Sequence, residues 1–407
     1  MQIQEISGGI CAAAGFKASG VHCGIRHNRT KKDLALIVSE VPCTAAAVYT
    51  QNKVKGAPLA ITKANIANGT AQGILCNSGN ANTCNPNGAE IAQTCCQLAA
   101  DATGLAPTDF IVASTGVIGQ PMEIAPFATG IPAAAKALSH NGSADAGDSI
   151  MTTDTVRKEF SVQFTLGGTP CHLGVIAKGS GMIHPNMATL LVFATTDAAI
   201  SSTALQQALN EVTAITFNQV SIDGDTSTND MATVLANGLA KNEMIESAAS
   251  PLYPAFVQAL QHLFTLACRS IAADGEGATK LLECKVSSAA NNQLARSIAK
   301  SVITSSLFKA AMFGADANWG RVLCAIGNNT ADFSAENISV VLQSSAGSVQ
   351  VCKHSAYNPF SEEEAAKVLA QQEIEILIDL HSGSGFGVAW GCDLTYDYVK
   401  INGDYRT

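Results

Sequence analysis

The sequence has few of the features that mark nucleic-acid-binding, membrane or secreted proteins. Charged residues make up 14% of the 407 residues, and the net charge of −9 comes without a long basic run. This pattern argues against nucleic acid and anionic membranes as partners. No apolar segment approaches the length of about 18 residues that a transmembrane helix needs. Residues 1–5 have neither a basic nor an apolar leader pattern. We therefore expect a cytoplasmic protein.

Several catalytic and metal-binding motifs are also missing. The thirteen cysteines include no C-x-x-C pair, so we interpret them as reduced, mostly buried thiols. No G-x-S-x-G occurs, which excludes the nucleophile elbow of α/β-hydrolases. Residues 223–230 resemble a calcium loop only in their acidity. The glycine-rich residues 383–387 lack a following Walker lysine and predict a turn between two strands. We predict no metal site.

The residues that are present predict a mixed fold with a large core. Hydrophobic residues make up 47% of the chain. Apolar spacing predicts four helices, over residues 88–103, after residue 202, around residues 256–267, and over residues 361–368. The last of these opens with a capping box of Ser361 and Glu364. Short apolar or β-branched runs predict strands over residues 190–193, 216–222, 279–286 and 373–380. The expected fold class is α/β (α+β) with layered sheets.

The most informative stretch is KGSGMIHPNMATLL at residues 178–191. Its glycines and proline resist helix and strand, and the apolar run after Thr189 predicts a buried strand. A threonine at the start of such a strand can aim its hydroxyl at the carbonyl of Ala188. Attack there gives an ester by an N-to-O acyl shift, and hydrolysis leaves Thr189 as a new N-terminus. We therefore interpret the bond between Ala188 and Thr189 as a site of self-cleavage, although threonine is also a common strand residue.

The new N-terminus suits acyl transfer. A free α-amino group has a pKa near ~7.7, so part of it is unprotonated at neutral pH and can serve as base for the hydroxyl of the same residue. His184 is an alternative base, although a histidine in such a loop is more often a hydrogen-bonding scaffold. Lys178 is placed to bind a substrate carboxylate. Residues 114–116 offer donors to a negatively charged intermediate, and they equally suit a strand-ending turn.

The chain resembles the ornithine acetyltransferase family, also called the glutamate N-acetyltransferases. Residues 178–191 resemble the processing motif of that family. Further matching segments run through both halves of the chain in the expected order, at residues 31–35, 79–82, 114–119, 152–155, 223–230, 275–280, 313–321, 391–394 and 402–407. The resemblance therefore covers the whole chain.

The resemblance implies a fold and a division of the chain. The expected fold is a layered α/β/β/α-type sandwich of the ornithine acetyltransferase and N-terminal-nucleophile-like kind, with a smaller C-terminal subdomain. Self-cleavage divides the chain into an α fragment, residues 1–188, and a β fragment, residues 189–407, which begins with the nucleophile. Two copies of each fragment are expected to form a heterotetramer.

The resemblance also assigns the site residues. It makes Thr189 the nucleophile, and it makes Thr115 and Gly116 the oxyanion hole. The expected substrate-binding residues are Thr152, Lys178, Thr189, Glu276, Asn402 and Thr407. The set suits an N-acetylated diamino acid, because Lys178 and Glu276 supply opposite charges for its carboxylate and its ammonium group.

The expected reaction moves an acetyl group from N2-acetyl-L-ornithine to Thr189 and then to L-glutamate, in a ping-pong sequence of the cyclic arginine pathway. No bound cofactor is expected, and acetyl-coenzyme A is a co-substrate only for those family members that accept it as a donor. Two alternatives remain. An N-terminal-nucleophile aminopeptidase or amidase would pass the acyl group to water, and a non-enzymatic binding protein would remain one intact polypeptide.

Overall fold

A computed structural model describes residues 2–26, 28, 30–184 and 190–404. Three predicted site residues, Ala188, Thr189 and Thr407, lie outside the described residues. The described residues form two compact units. Unit 1 comprises those of Met1–Gly179, Pro185–Ala214 and Thr226–Ala267, and unit 2 comprises those of Ser180–His184, Ile215–Asp225 and Cys268–Thr407.

Sixteen strands are present among the described residues. In chain order they are β1 (Gln4–Ile6), β2 (Phe16–Val21), β3 (Leu34–Tyr49), β4 (Thr70–Asn77), β5 (Phe110–Ser114), β6 (Lys158–Leu166), β7 (Thr169–Lys178), β8 (Leu191–Thr196), β9 (Val220–Ser221), β10 (Met231–Ala236), β11 (Leu281–Ala289), β12 (Ser339–Ser344), β13 (Gly347–Lys353), β14 (Ala356–Tyr357), β15 (Glu373–Asp379) and β16 (Gly385–Cys392).

The described part of the chain also contains eleven α-helices. In chain order they are α1 (Ala57–Asn65), α2 (Gly88–Thr103), α3 (Ala125–Lys136), α4 (Ser143–Ile150), α5 (Ser202–Ile215), α6 (Tyr253–Ala273), α7 (Asn292–Thr304), α8 (Ser306–Phe313), α9 (Trp319–Gly327), α10 (Glu362–Leu369) and α11 (Tyr396–Asp404). Within these residues, no helix combines the length and apolarity needed to cross a bilayer.

Unit 1 is built on a mixed nine-stranded sheet. Its strand order is β1-β6-β7-β8-β10-β3-β4-β5, and β2 pairs with β3 off this path. The strand β8, with the sequence LVFATT, is buried at all six positions, as expected for a strand covered on both faces. It lies antiparallel to β7 and parallel to β10. Lys178, the last residue of β7, pairs with Leu191, the first of β8, so the predicted cleavage site lies in the connection between two adjacent strands.

Unit 2 is built on a seven-stranded sheet with the order β14-β13-β12-β15-β11-β16-β9. The helix α7 begins after Asn291, whose side chain accepts the N–H of Leu294 at 2.9 Å. Such a cap satisfies one of the free donors at a helix start. The apolar face of α7, with Ile298 and Val302, is buried in one cluster with residues of β11, such as Cys284. Packing of this helix on the sheet therefore forms the core of unit 2.

The α/β fold class is confirmed, since each unit combines one sheet with helices. The four predicted helices correspond to α2, α5, α6 and α10, and three predicted strands correspond to β8, β11 and β15, with bounds shifted by a few residues. The turn predicted at residues 383–387 is confirmed only at its start, because β15 ends at Asp379 and β16 already begins at Gly385. At the predicted capping box, the Ser361 side chain accepts the N–H of Glu364. All thirteen cysteines are unpaired, and nine are buried.

The strand predicted over residues 216–222 is wrong for most of its length. Phe217–Gln219 forms a 3-10 helix, and only β9 is extended. In this region the ammonium of Lys300 donates to the carbonyl oxygens of Asn218 and Val220, at 2.6 and 3.0 Å. Such a contact with a distant side chain is not visible in the local sequence pattern. The division into residues 1–188 and 189–407 stays a prediction.

Candidate active site

The predicted oxyanion loop follows the last residue of β5. The N–H of Thr115 donates to the carbonyl of Asn77 at 3.0 Å, so the loop begins in strand geometry. Gly116 then adopts a φ of 131°, and a Cβ there would lie 2.4 Å from the carbonyl carbon of Gly79. Only glycine fits such a conformation and such a close approach. The peptide between Thr115 and Gly116 is therefore held tightly, as an oxyanion donor requires.

A single asparagine connects this loop to another strand of the sheet. The side-chain amide of Asn229 donates to the carbonyl of Ser114 at 3.0 Å and to that of Ala81 at 2.5 Å. Two residues later, the N–H of Met231 in β10 donates to the carbonyl of Leu190 at 2.9 Å. The predicted oxyanion loop and Leu190, the residue after Thr189, are thus both hydrogen-bonded to residues at the start of β10.

Thr152 and Lys178 are organised around one buried carboxylate, that of Asp154. Its Oδ2 accepts the N–H of Thr152 at 2.9 Å, and its Oδ1 accepts the N–H of Gly179 at 2.8 Å. Oδ1 also accepts a hydrogen bond from the ammonium of Lys158 at 2.7 Å. Both side chains of this ion pair are fully buried. Burial alone would raise the pKa of Asp154, but the charges of Lys178 and Lys158 outweigh it and hold the pKa well below its usual range. Asp154 therefore remains an anion.

Lys178 is the cation that this cluster leaves available. The residue is only 8% exposed. Among the described residues its ammonium has no carboxylate partner within 4.0 Å, whereas Lys158 is paired with Asp154. A buried ammonium without a paired anion favours binding of an anionic ligand group.

A second buried carboxyl, Asp230, precedes β10. Burial raises the pKa of Asp230 well above its usual range, although the charge of Lys178 opposes the shift. Its Oδ2 is buried without a hydrogen-bond partner among the described residues. Burial therefore favours the neutral form of the Asp230 carboxyl group beside Lys178.

Glu276 and Asn402 are brought together in unit 2. The side-chain amide of Asn402, on α11, donates to Oε2 of Glu276 at 2.8 Å and to the carbonyl of Tyr398 at 3.0 Å. The backbone of Gly181 lies against the Glu276 carboxyl group, since a Cβ on Gly181 would be 2.3 Å from its carbon. The Glu276 carboxylate is thus held between a side-chain donor and a close backbone wall.

His184, the alternative base, also lies in unit 2. Its Nδ1 is 3.0 Å from Oγ of Ser221. Burial, with the charge of Lys300 as a second cause, lowers the pKa of His184 to about 4. Its imidazole is therefore neutral at physiological pH, and its contact with Ser221 is that of a scaffold residue.

The structure thus groups the predicted residues that it describes into three sets. Thr115 and Gly116 share one loop, Thr152 and Lys178 share the Asp154 cluster, and Glu276 pairs with Asn402. Sequence reasoning gave no role to Asp154, Asp223 or Asn229, although all three stand in segments on which the family resemblance rests. Within the described residues, no cluster of three histidine, cysteine or acidic side chains is arranged to hold a metal ion.

The chain is similar to known proteins along its whole length. The model of the ArgJ family matches residues 17–407. The arginine biosynthesis bifunctional protein ArgJ of Symbiobacterium thermophilum is 49% identical over 407 residues, covering 100% of both chains. The protein of the same name from Bacillus subtilis is 45% identical over 408 residues, covering 100% of this chain and 98% of that protein.

Two solved structures are similar to parts of the chain. The structure of the arginine biosynthesis bifunctional protein ArgJ from Bacillus halodurans is 46% identical, with a TM-score of 0.49, and covers 53% of this chain and 98% of that one. The structure of ornithine acetyltransferase complexed with ornithine from Mycobacterium tuberculosis is 32% identical, with a TM-score of 0.43. It covers 46% of this chain and 100% of that one.

Removing the charge of Asp154 should destabilise the protein strongly. Asp154→Asn leaves Lys158 buried without its anion, and breaking such a pair costs about 3 to 5 kcal/mol in the free energy of unfolding. The measurement is chemical denaturation of the purified variant. The control is Asp148→Asn, because Asp148 pairs with Arg157 at the surface, where an ion pair contributes about 1 kcal/mol or less.

The double variant Asp154→Asn with Lys158→Met should recover at least half of the lost stability, since it removes the unpaired charge as well. A single Asp154→Asn variant as stable as Asp148→Asn would contradict the role given to this carboxylate.

Proposed function

The chain belongs to the ArgJ family and is an enzyme of arginine biosynthesis, a glutamate N-acetyltransferase, and we propose that it transfers acetyl through an ester on Thr189. The donor is N2-acetyl-L-ornithine and the acceptor is L-glutamate. The main support for this mechanism is a pair of hydrogen bonds near the start of β10. Asn229 binds the carbonyl of Ser114, which precedes the Thr115–Gly116 loop, and Met231 binds the carbonyl of Leu190. That arrangement supports a nucleophile at position 189 beside donors for an oxyanion.

Self-cleavage is the first step of the proposal. The hydroxyl of Thr189 attacks the carbonyl carbon of Ala188, the peptide C–N bond breaks, and the proton of the hydroxyl passes to the released amine. Water then hydrolyses the resulting ester, which leaves a carboxylate on Ala188 and a free hydroxyl and amine on Thr189. Such an amine, with a pKa near ~7.7, can accept a proton at neutral pH.

Acetyl transfer follows on the same hydroxyl. Thr189 Oγ attacks the acetyl carbon of acetylornithine while the Thr189 amine takes its proton, and donors from Thr115 and Gly116 stabilise the oxyanion. Collapse of this intermediate breaks the amide bond, and the proton leaves on the ornithine amine. The amine of glutamate then attacks the acetyl ester in the reverse sense, which regenerates the Thr189 hydroxyl.

The charges of the described residues support this pair of substrates. Lys178 offers a cation for the α-carboxylate that acetylornithine and glutamate share. Glu276, held by Asn402, offers an anion for the ammonium of acetylornithine. We also assign Thr152 and the terminal carboxylate of Thr407 to the substrate-binding residues. Because the cluster around Lys178 is buried, water is restricted there, which protects an ester from hydrolysis.

The proposal extends to donor, assembly and location. The name of the relatives describes them as bifunctional, and we propose acetyl-coenzyme A as a second acetyl donor, with no bound cofactor. The two fragments assemble as a heterotetramer of two α and two β fragments in the cytoplasm.

The acceptor of the acetyl group separates this function from that of an aminopeptidase or amidase. With acetylornithine alone, we expect little release of acetate, because the ester is protected from water. Addition of glutamate should then yield acetylglutamate and ornithine in equal amounts, as measured by mass spectrometry. Release of acetate at the same rate with and without glutamate would instead identify a hydrolase.

Thr189→Ala should abolish cleavage and transfer together. Wild-type protein is expected to show fragments of 188 and 219 residues by intact mass, and the variant a single chain of 407 residues, because alanine has no hydroxyl to attack with. Thr189→Ser keeps a hydroxyl and serves as the control, with cleavage retained. An active wild-type enzyme that is never cut would overturn the mechanism.

Thr115→Ala tests the oxyanion donor. Loss of one such donor lowers kcat by about 10²- to 10³-fold, and the KM for acetylornithine should change little because the donor acts on the intermediate. Steady-state kinetics on the cleaved variant gives both constants. Thr129→Ala, at an exposed position of α3, is the matched control and should behave as wild type. Equal kcat in the two variants would exclude Thr115 from this role.

A further inference from the structure

A short stretch upstream of the predicted cleavage site is built into unit 2. Residues Ser180–His184 belong to that unit, and all its other residues follow Thr189 in the chain. The N–H of Glu276 donates to the carbonyl of Ser180 at 2.9 Å, and the N–H of Ile222 donates to that of Ile183 at 2.7 Å. The hydroxyl of Ser180 donates to the carbonyl of Asp274 at 2.7 Å. We call residues 180–184 the anchor segment.

One carboxylate, that of Asp223, binds the middle of the anchor segment. Its Oδ2 accepts the N–H of Met182 at 2.5 Å, and its Oδ1 accepts the N–H of Ile183 at 2.9 Å. Met182 has a φ of 57°, a left-handed conformation that is unfavourable for a residue other than glycine. Hydrogen bonds to an ionised acceptor are about twice as strong as neutral ones. Asp223 therefore stabilises a bend that the chain would not adopt by itself.

Asp223 is itself held by the residues before it. The ammonium of Lys300 binds the carbonyls of Asn218 and Val220, and the buried ammonium of Lys309 binds the carbonyl of Ile222. These contacts fix the backbone that leads into Asp223. The position of the Asp223 carboxylate relative to the anchor segment is therefore fixed by the backbone before it. Precise positioning of a reacting group requires such support.

We infer that Asp223 is a positioning residue for self-cleavage, because it fixes the backbone six residues upstream of Thr189. The inference rests on the proposed function. An N-to-O acyl shift requires the hydroxyl and the carbonyl carbon within about 3 to 3.5 Å, and a displacement of 1 Å can lower the rate about 10²-fold. After the cut, the same bonds retain the new C-terminal tail of the α fragment on unit 2.

Asp223→Asn should slow cleavage in the full-length protein. The amide oxygen can accept one of the two N–H groups, but the amide NH2 then faces the other donor. We expect cleavage about 10- to 100-fold slower than in wild type, followed over time by denaturing electrophoresis and intact mass. The matched control is Asp225→Asn, which removes one charge from an exposed position two residues away and should cleave within about twofold of wild type.

Two further readouts separate positioning from general loss of stability. The thermal midpoint shows the folded fraction, and cleavage is expressed per folded molecule, a ratio that mere destabilisation does not change. The kcat per cleaved molecule should stay within about threefold of wild type, because Asp223 acts before the transfer step. Asp223→Glu keeps the charge but displaces the anchor segment by one methylene group. Asp223→Glu should also cleave slowly. If Asp223→Asn does not fold, the cleavage rate of Asp223→Glu tests the positioning role of Asp223.

The outcomes distinguish the two levels of the proposal. Wild-type protein that remains one chain of 407 residues contradicts the proposed function. Normal cleavage of wild type together with normal cleavage of folded Asp223→Asn and Asp223→Glu contradicts only the role of Asp223.

Discussion

The pairing of Lys178 with Leu191 is the constraint on which the candidate site depends. β7 and β8 are neighbours inside the sheet of unit 1, so the chain leaves the sheet after Lys178 and returns to it at Leu191, thirteen residues later, with Thr189 shortly before the return in the sequence. A cut in this connection leaves the strand ladder on both sides in place. The sheet would then consist of β1–β7 from one fragment and β8 and β10 from the other. Because both would contribute buried apolar strands, hydrophobic burial would hold the proposed fragments together without a covalent link.

Single carboxylates hold connecting segments in both units. Asp154, Asp223 and Asp393 each accept two or more backbone N–H groups from segments that lie outside the strand ladders or at their ends. An ionised carboxylate offers about four acceptor positions, so one side chain can satisfy several donors that no strand reaches. Part of the acidic excess of the chain is thus used inside the protein, where it fixes loops.

The parts of the fold that depend on local pattern were predictable from the sequence, and the parts that depend on distant partners were not. The apolar stripe of α2 and the apolar run of β8 are complete within each segment, and both predictions are confirmed. The strand prediction around β9 was wrong where Phe217–Gln219 forms a 3-10 helix. There Lys300, about 80 residues away, donates to the carbonyls of Asn218 and Val220. The same applies to the site. Asp154 binds Gly179 across 25 residues and Asp223 binds Met182 across 41, and no local spacing reports such contacts.

A buried ion pair is often no more stabilising than a well-packed apolar pair, so we attribute the pair of Asp154 and Lys158 to its effect on the charge beside Lys178. Asp154 in its ionised form accepts the N–H groups of Thr152 and Gly179. Without a second cation, this anion would cancel the charge of Lys178, to which we assign a substrate carboxylate. Lys158 supplies the compensating charge at 2.7 Å. Burial raises the pKa of Asp230 and so favours its neutral form. The group of Asp154, Lys158 and Lys178 therefore carries one net positive charge, which suits a ligand with a single carboxylate at this position.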